Sequence, residues 1–290
     1  MNFRKVVKNW VGTVVTTIVF LGAVFVSPPA YSAASNKPLS MYYLSLGDSY
    51  AAGLQVGPGP SGGFPALLVA DAAPNYRLML RNFGCSGATT TSLLHVVGCS
   101  YPAATNAVAY PTTTQIAAAI SFIDTHPGRI GLITVVIGGN NLSDGVSTIP
   151  SIQADIVNIS AQLRAAAGAS IPIIGLTYPN VDLASWLSGP SGEASAAAAA
   201  TAAQQVVNPA LAAGYASSNV TFVNVTVATG GYTPLTRLVN YSTYGEIPYA
   251  VEQICILTGM CSDNNNVHPT YAGSKLIARL ILRAYLKLFF

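Results

Sequence analysis

Charge is scarce in this chain. Asp, Glu, Lys and Arg make up 8% of the residues, 13 of them bases and 10 acids. Three of the bases, Arg4, Lys5 and Lys8, precede a run without acid or base from Trp10 to Val26, the pattern of a secretory leader. The small residues of Ser27-Pro28-Pro29-Ala30-Tyr31-Ser32-Ala33-Ala34 suit cleavage after Ser32 or Ala34. The competing reading is an uncleaved anchor, because the run approaches bilayer-spanning length. Without the expected signal peptide, residues 1–34, the balance is 13 − 3 = 10 bases against 10 acids. No basic cluster then remains to attract nucleic acid, and no stable membrane anchor.

Cysteine is equally sparse, and none of the four residues forms a CxxC pair, which argues against structural zinc and any metal site of that kind. An even set in an exported chain points instead to disulfides. Their spacing pairs Cys85 with Cys99 and Cys255 with Cys261. No sequence feature calls for a cofactor, and a monomer is expected.

Apolar residues are plentiful, at 51%, and residues 35–290 are long enough for one large domain with a substantial core. Five short, nearly continuous apolar runs read as strands buried on both faces, as in a parallel sheet: 42–46, 76–80, 132–137, 171–176 and 220–225. Helical segments are expected between them at 64–72, 113–124, 150–167 and 192–215, with a last one at 271–288. The alanine run 196–200 sits where a crossover helix is needed and has high helix propensity. This alternation predicts a three-layer α/β/α, flavodoxin-like doubly wound domain of about five parallel strands.

In such sheets ligands bind beyond the carboxyl ends of the strands. The segments 84–111 and 227–267 follow strand ends and are the expected walls of a site. Ser49 follows the first strand in Gly47-Asp48-Ser49-Tyr50, exposed on a rigid support. After the second strand, Asn82-Phe83-Gly84-Cys85-Ser86-Gly87 offers backbone N–H groups that glycine lets approach a reacting oxygen. After the third, Gly138-Gly139-Asn140-Asn141 presents a side-chain amide. Near the end, Asn264-Asn265-Asn266-Val267-His268-Pro269 places a histidine before the last helix, on the side of Ser49. His126 precedes the third strand, at the opposite sheet edge, and His95 has no matching motif.

Taken together and in order, these four stretches resemble the blocks of the SGNH hydrolases, the GDSL lipase and esterase superfamily, across residues 44–273. The resemblance implies Ser49 as nucleophile and His268 as general base. It implies the backbone N–H groups of Ser49 and Gly87 and the side chain of Asn140 as the oxyanion hole, and Asp48 as a brace of its own turn. Two departures stand out. Asn141 occupies the acid position of the third block, and Asn265 stands three before His268, where the triad acid is usual. Asp263 or a backbone carbonyl is the expected partner of His268.

The function so implied is a secreted serine carboxyl-ester hydrolase acting on a small-molecule or lipid ester. A carbohydrate O-deacetylase and a non-catalytic secreted binding module with the same fold are the alternatives. Tyr232, Leu235, Leu238, Tyr241, Tyr244, Ile247 and Tyr249 suit an apolar acyl pocket.

Overall fold

In the computed structural model, which describes residues 40–73, 75–101, 106–262 and 264–288, the first apolar run forms β1 (Met41–Gly47) and breaks into the one-turn helix α1 (Ser49–Ala52). Helix α2 (Gly63–Ala72) leads to β2 (Leu78–Asn82). A short α3 (Thr90–His95) and α4 (Gln115–Thr125) lead to β3 (Ile130–Val136), and α5 (Ile149–Ala167) leads to β4 (Ile173–Leu176). Next come α6 (Pro190–Ala202), a π turn at Ala203–Val207, α7 (Asn208–Ala216) and β5 (Thr221–Val223). The last part contains α8 (Val225–Ala228), the hairpin β6 (Leu238–Tyr241) and β7 (Gly245–Pro248), α9 (Tyr249–Leu257), β8 (Thr258–Gly259), β9 (Asn266–Pro269) and α10 (Tyr271–Leu286).

The alanine-rich segment is helical, as its propensity predicts. Its π turn has a local cause: Pro209 has no N–H to return to the carbonyl four residues back, and the chain widens before α7. Strand β2 begins two residues later than the apolar run, because Tyr76 N–H still bonds Ala72 C=O (2.8 Å) at the end of α2. Pairing with β1 starts at Met41 opposite Leu78.

The central sheet has the order β2-β1-β3-β4-β5 with every pair parallel. This is the flavodoxin-like doubly wound arrangement, and its topological switch lies between β1 and β3. Gly47 stands opposite Val136, so the two strands end level and release Ser49 and Asn140 at one edge.

Side-chain alternation along β1 and β3 feeds two cores. Leu44, Leu46, Ile133 and Val135 pack with α3, α4, α5 and α7, while Tyr43, Leu132 and Val136 pack with α2 and α10. A third, lateral cluster joins Leu183 and Ala196 to Ile247, Val251 and Ile254. Residues 38–290 form one compact unit. The expected leader, with its Ser32 and Ala34 cleavage positions, lies outside the described residues. Among those described, no helix is long and apolar enough to cross a membrane.

Candidate active site

The end of β1 is held by a side chain that acts like a missing strand partner. Gln115, the first residue of α4 and 2% exposed, accepts from Gly47 N–H at 2.7 Å and donates to Gly47 C=O at 3.0 Å. At Gly47 φ is +131°, and a Cβ would lie 1.8 Å from the carbonyl oxygen of Val136. No other residue fits.

Asp48 then caps α1. Its Oδ1 accepts from Tyr50 N–H (2.9 Å), and its Oδ2 accepts a short hydrogen bond from the Tyr178 hydroxyl. The brace expected within its own turn is present, and the second bond, from the segment after β4, is one that motif reading passes over. Burial drives the Asp48 carboxyl up to about 7, with the bonds from Tyr178 and Tyr50 opposing the shift. Tyr50 turns its hydroxyl the other way, onto the carbonyl of Val267 (2.6 Å). The residue after Ser49 is thereby tied to the residue before His268.

Ser49 is 8% exposed and opens on a cavity of about 460 Å³. Three N–H groups around it have no protein partner among the described residues: Ser49 N–H, Gly87 N–H, and one of the two on Asn140 Nδ2. The other Asn140 N–H donates to Ala88 C=O at 2.8 Å. At Gly87 φ is +80°, and a Cβ there would meet nothing within 4 Å, so glycine is required by the backbone rather than by space. Asn141 accepts from Thr90 N–H (2.9 Å) and donates to Ser147 Oγ (2.9 Å), whose own hydrogen goes to Asp144 (2.5 Å). Ser147 therefore needs a donor, which the amide supplies and a carboxylate could not. Asn140 and Asn141 together grip the loop on either side of Thr89.

His268 lies on β9, half-buried, and burial lowers its pKa below the ordinary value of 6.5. Its Nδ1 is 2.7 Å from Asn266 Oδ1, which also accepts from His268 backbone N–H at 2.9 Å. A backbone N–H can only donate, so the amide's oxygen end faces the ring. Nδ1 must then carry the hydrogen, and Nε2 is left as a free lone pair. The partner is thus two residues before the histidine. Asn265, three before, has φ of +43° and no bond to the ring. Asp263 lies outside the described residues. No hydrogen bond joins Ser49 Oγ to His268 among the described residues; such catalytic contacts often tighten only when substrate is bound.

Both expected disulfides are present, Cys85–Cys99 and Cys255–Cys261. The first holds the loop of Gly87, and the second ties the end of α9 to the turn before β9. His126 stacks on Phe122 and bonds its carbonyl (2.8 Å) at the far sheet edge, and His95 is exposed on α3. Among the described residues no group of three or more His, Cys, Asp or Glu could hold a metal ion.

The cavity walls differ from expectation. None of the seven aromatic and aliphatic residues between 232 and 249 lines it. That segment folds on itself as the β6–β7 hairpin and α9, and Ile247 and Tyr241 belong to the lateral cluster instead. Segment 84–111 carries Gly87 but contributes no residue to the cavity lining. The walls come mostly from residues 138–143 after β3, 178–182 after β4 and 199–211 across the π turn, and of the expected segment 227–267 Val267 takes part. A smaller cavity of about 200 Å³ at the opposite edge includes Arg164, whose guanidinium is spent on backbone carbonyls including those of Gly168, Ile171 and Asn219.

A model of the GDSL-like lipase/acylhydrolase family matches residues 45–276, a span that includes Ser49, Gly87, Asn140 and His268. The chain belongs to this family. Lipase or esterase-type hydrolysis is the activity that membership carries. Among solved structures, this GDSL-like chain is similar to an extracellular lipase from Streptomyces rimosus (18% identity, 84% of this chain and 100% of that one, TM-score 0.46). It is also similar to a phospholipase A1 from Streptomyces albidoflavus (17%, 85% and 100%, TM-score 0.47). A third is a member of the lipolytic G-D-S-L family from Veillonella parvula (17%, 86% and 100%, TM-score 0.47). No curated protein matches the chain significantly.

Proposed function

We propose that this GDSL-like acylhydrolase is a secreted serine carboxyl-ester hydrolase that works through an acyl-enzyme on Ser49. The observation that carries the reading is the set of three N–H groups, of Ser49, Gly87 and Asn140 Nδ2, that have no protein partner among the described residues. Two disulfides among four cysteines fit an oxidising compartment.

His268 Nε2 removes the Ser49 hydroxyl proton as Oγ attacks the ester carbonyl carbon. The carbonyl oxygen gains the negative charge and is held by Ser49 N–H, Gly87 N–H and Asn140 Nδ2–H. Collapse breaks the bond to the alcohol oxygen, which takes the proton back from His268. Water, deprotonated by the same nitrogen, then attacks the acyl carbon; collapse breaks the bond to Ser49 Oγ, which takes the proton back from His268 as the acid leaves.

The test is labelling of the purified protein with a fluorophosphonate, with hydrolysis of nitrophenyl esters measured in parallel. Ser49→Ala should lose both the label and the turnover and keep its thermal unfolding. Label retained in that variant, or wild-type hydrolysis without it, overturns the assignment.

A further inference from the structure

The cavity beside Ser49 has two unlike sides. One is apolar, with Leu142, Ile152, Val207 and Leu211; the other carries Asn180, Asp182, Asn208 and Thr226. Asn208, the first residue after the π turn, is 5% exposed. Its Nδ2 donates both hydrogens, to Thr226 Oγ1 and to the Tyr232 hydroxyl, each at 2.9 Å. The amide orientation is fixed by chemistry: Thr226 spends its own hydrogen on the carbonyl of Tyr178 (2.7 Å), so it can only accept from Asn208. Oδ1 of Asn208 is left without a partner among the described residues, and it is the only polar side-chain atom Asn208 has to offer the cavity.

Asn180 repeats the pattern. Its Nδ2 donates one hydrogen to Ala199 C=O (3.1 Å), an oxygen that cannot donate, so its Oδ1 and its second N–H are both uncommitted. The Asp182 carboxylate is exposed at the same side. This side of the cavity therefore presents the oxygens of Asn208, Asn180 and Asp182 as acceptors, with one N–H of Asn180 as the free donor beside them. The Asn208 oxygen opens into the cavity from a residue that is otherwise buried, and a substrate group that filled the cavity without matching it would leave it unpaired.

We propose that this side of the cavity receives a hydroxyl group of the substrate, with Asn208 Oδ1 as its principal acceptor, so that the preferred substrate is a hydroxylated ester. The inference rests on the ester-hydrolase reading above. A hydroxyl fits better than an ammonium group, because the innermost acceptor is a neutral amide and the one carboxylate nearby is exposed; a cation taken inside would lose its water without gaining a buried counter-charge. The hydroxyl can come from either half of the ester.

The experiment compares kcat/KM for matched pairs. Glycerol monobutyrate against propyl butyrate places the hydroxyls in the alcohol, and ethyl 3-hydroxybutyrate against ethyl butyrate places one in the acyl chain. At least one pair should favour the hydroxylated member by roughly tenfold or more, and the pair that does so names the half that is recognised. Asn208→Leu should bring that ratio close to one. Equal efficiency within both pairs in the wild-type protein overturns the proposal and leaves the ester-hydrolase reading standing. No hydrolysis of any of the four, with no fluorophosphonate label, overturns that reading itself. The wild-type ratios decide the matter even if the Leu variant does not fold. If it folds and keeps the wild-type preference, Asn208 is not the acceptor and the proposal falls.

Discussion

Asn266 gives His268 an acceptor without a charge. In a serine-protease triad an Asp→Asn change is damaging because the amide turns its N–H₂ to the ring and selects the wrong tautomer. That cannot happen here, since the backbone N–H of His268 claims the same oxygen and keeps it facing the ring. The amide fixes the tautomer but does little to stabilise an imidazolium, and burial lowers the His268 pKa further. Activity that needs the neutral ring should therefore persist below pH 6.5, the ordinary histidine value. Asn266→Ala should reduce kcat by roughly tenfold or more with a smaller change in KM. Asn266→Asp should move the acid limb of the kcat/KM profile to higher pH, because a carboxylate favours the charged ring. An unmoved limb would show that residue 266 does not orient the base. The sequence pointed to Asp263 or a backbone carbonyl and passed over Asn266, since which amide of the asparagine run meets the ring depends on the irregular β8–β9 pairing, which leaves no mark on composition.

The elements that carry the site are fastened to each other by neutral amides and one covalent link. Gln115 closes the end of β1, Asn140 and Asn141 hold the loop after β2, and Cys85–Cys99 joins that loop to the chain 14 residues on. Cys85 N–H also bonds Gly47 C=O at 2.9 Å, which ties the disulfide to the end of β1 two residues before Ser49. A Cys85→Ala, Cys99→Ala double variant should lower kcat more than KM, and should lose about 3 kcal/mol of stability in denaturant titration, the value for a loop of this length. An unchanged kcat would make the link purely a stabiliser. This pairing was legible because each cysteine has a near neighbour in an even set. The walls of the cavity were not. Segment 227–267 looks like a loop because each strand of its hairpin has only four residues, too few to display a period, and its Leu235, Tyr241 and Ile247 are drawn into a cluster with Leu183 and Ala196.

For the molecule as a whole, the central sheet was readable because β1 and β3 are buried on both faces and leave uninterrupted apolar runs. The lateral unit of hairpin and α9 carries no comparable run. The low charge content has its own consequence at this scale: with 10 acids in the chain, one buried carboxyl can shape the dependence of stability on pH. Asp48 is raised from 3.8 to about 7, so the folded state holds its proton more tightly than the unfolded state does. Its contribution is complete below the unfolded value and is lost as pH rises through about 7. Thermal unfolding of Asp48→Asn, which cannot titrate, should therefore gain on the wild type between pH 4 and pH 8; a melting-temperature difference that stays constant with pH would refute the assigned shift.

The bond from the Tyr50 hydroxyl to Val267 C=O joins positions 217 apart in the chain. Contacts that close such long stretches form late, after local turns and neighbouring strands have reduced the entropy of closure. The Gln115 clamp on Gly47 and the bonds of Asn140 and Asn141 to the loop around Thr89 all join residues within 47–141. The base arrives with β9, once nearly all of the polypeptide exists. During synthesis from the N-terminus, the residues of the Ser49 turn therefore emerge well before Tyr178, Val267 and His268, and under the proposed mechanism a partly made chain should hydrolyse no ester.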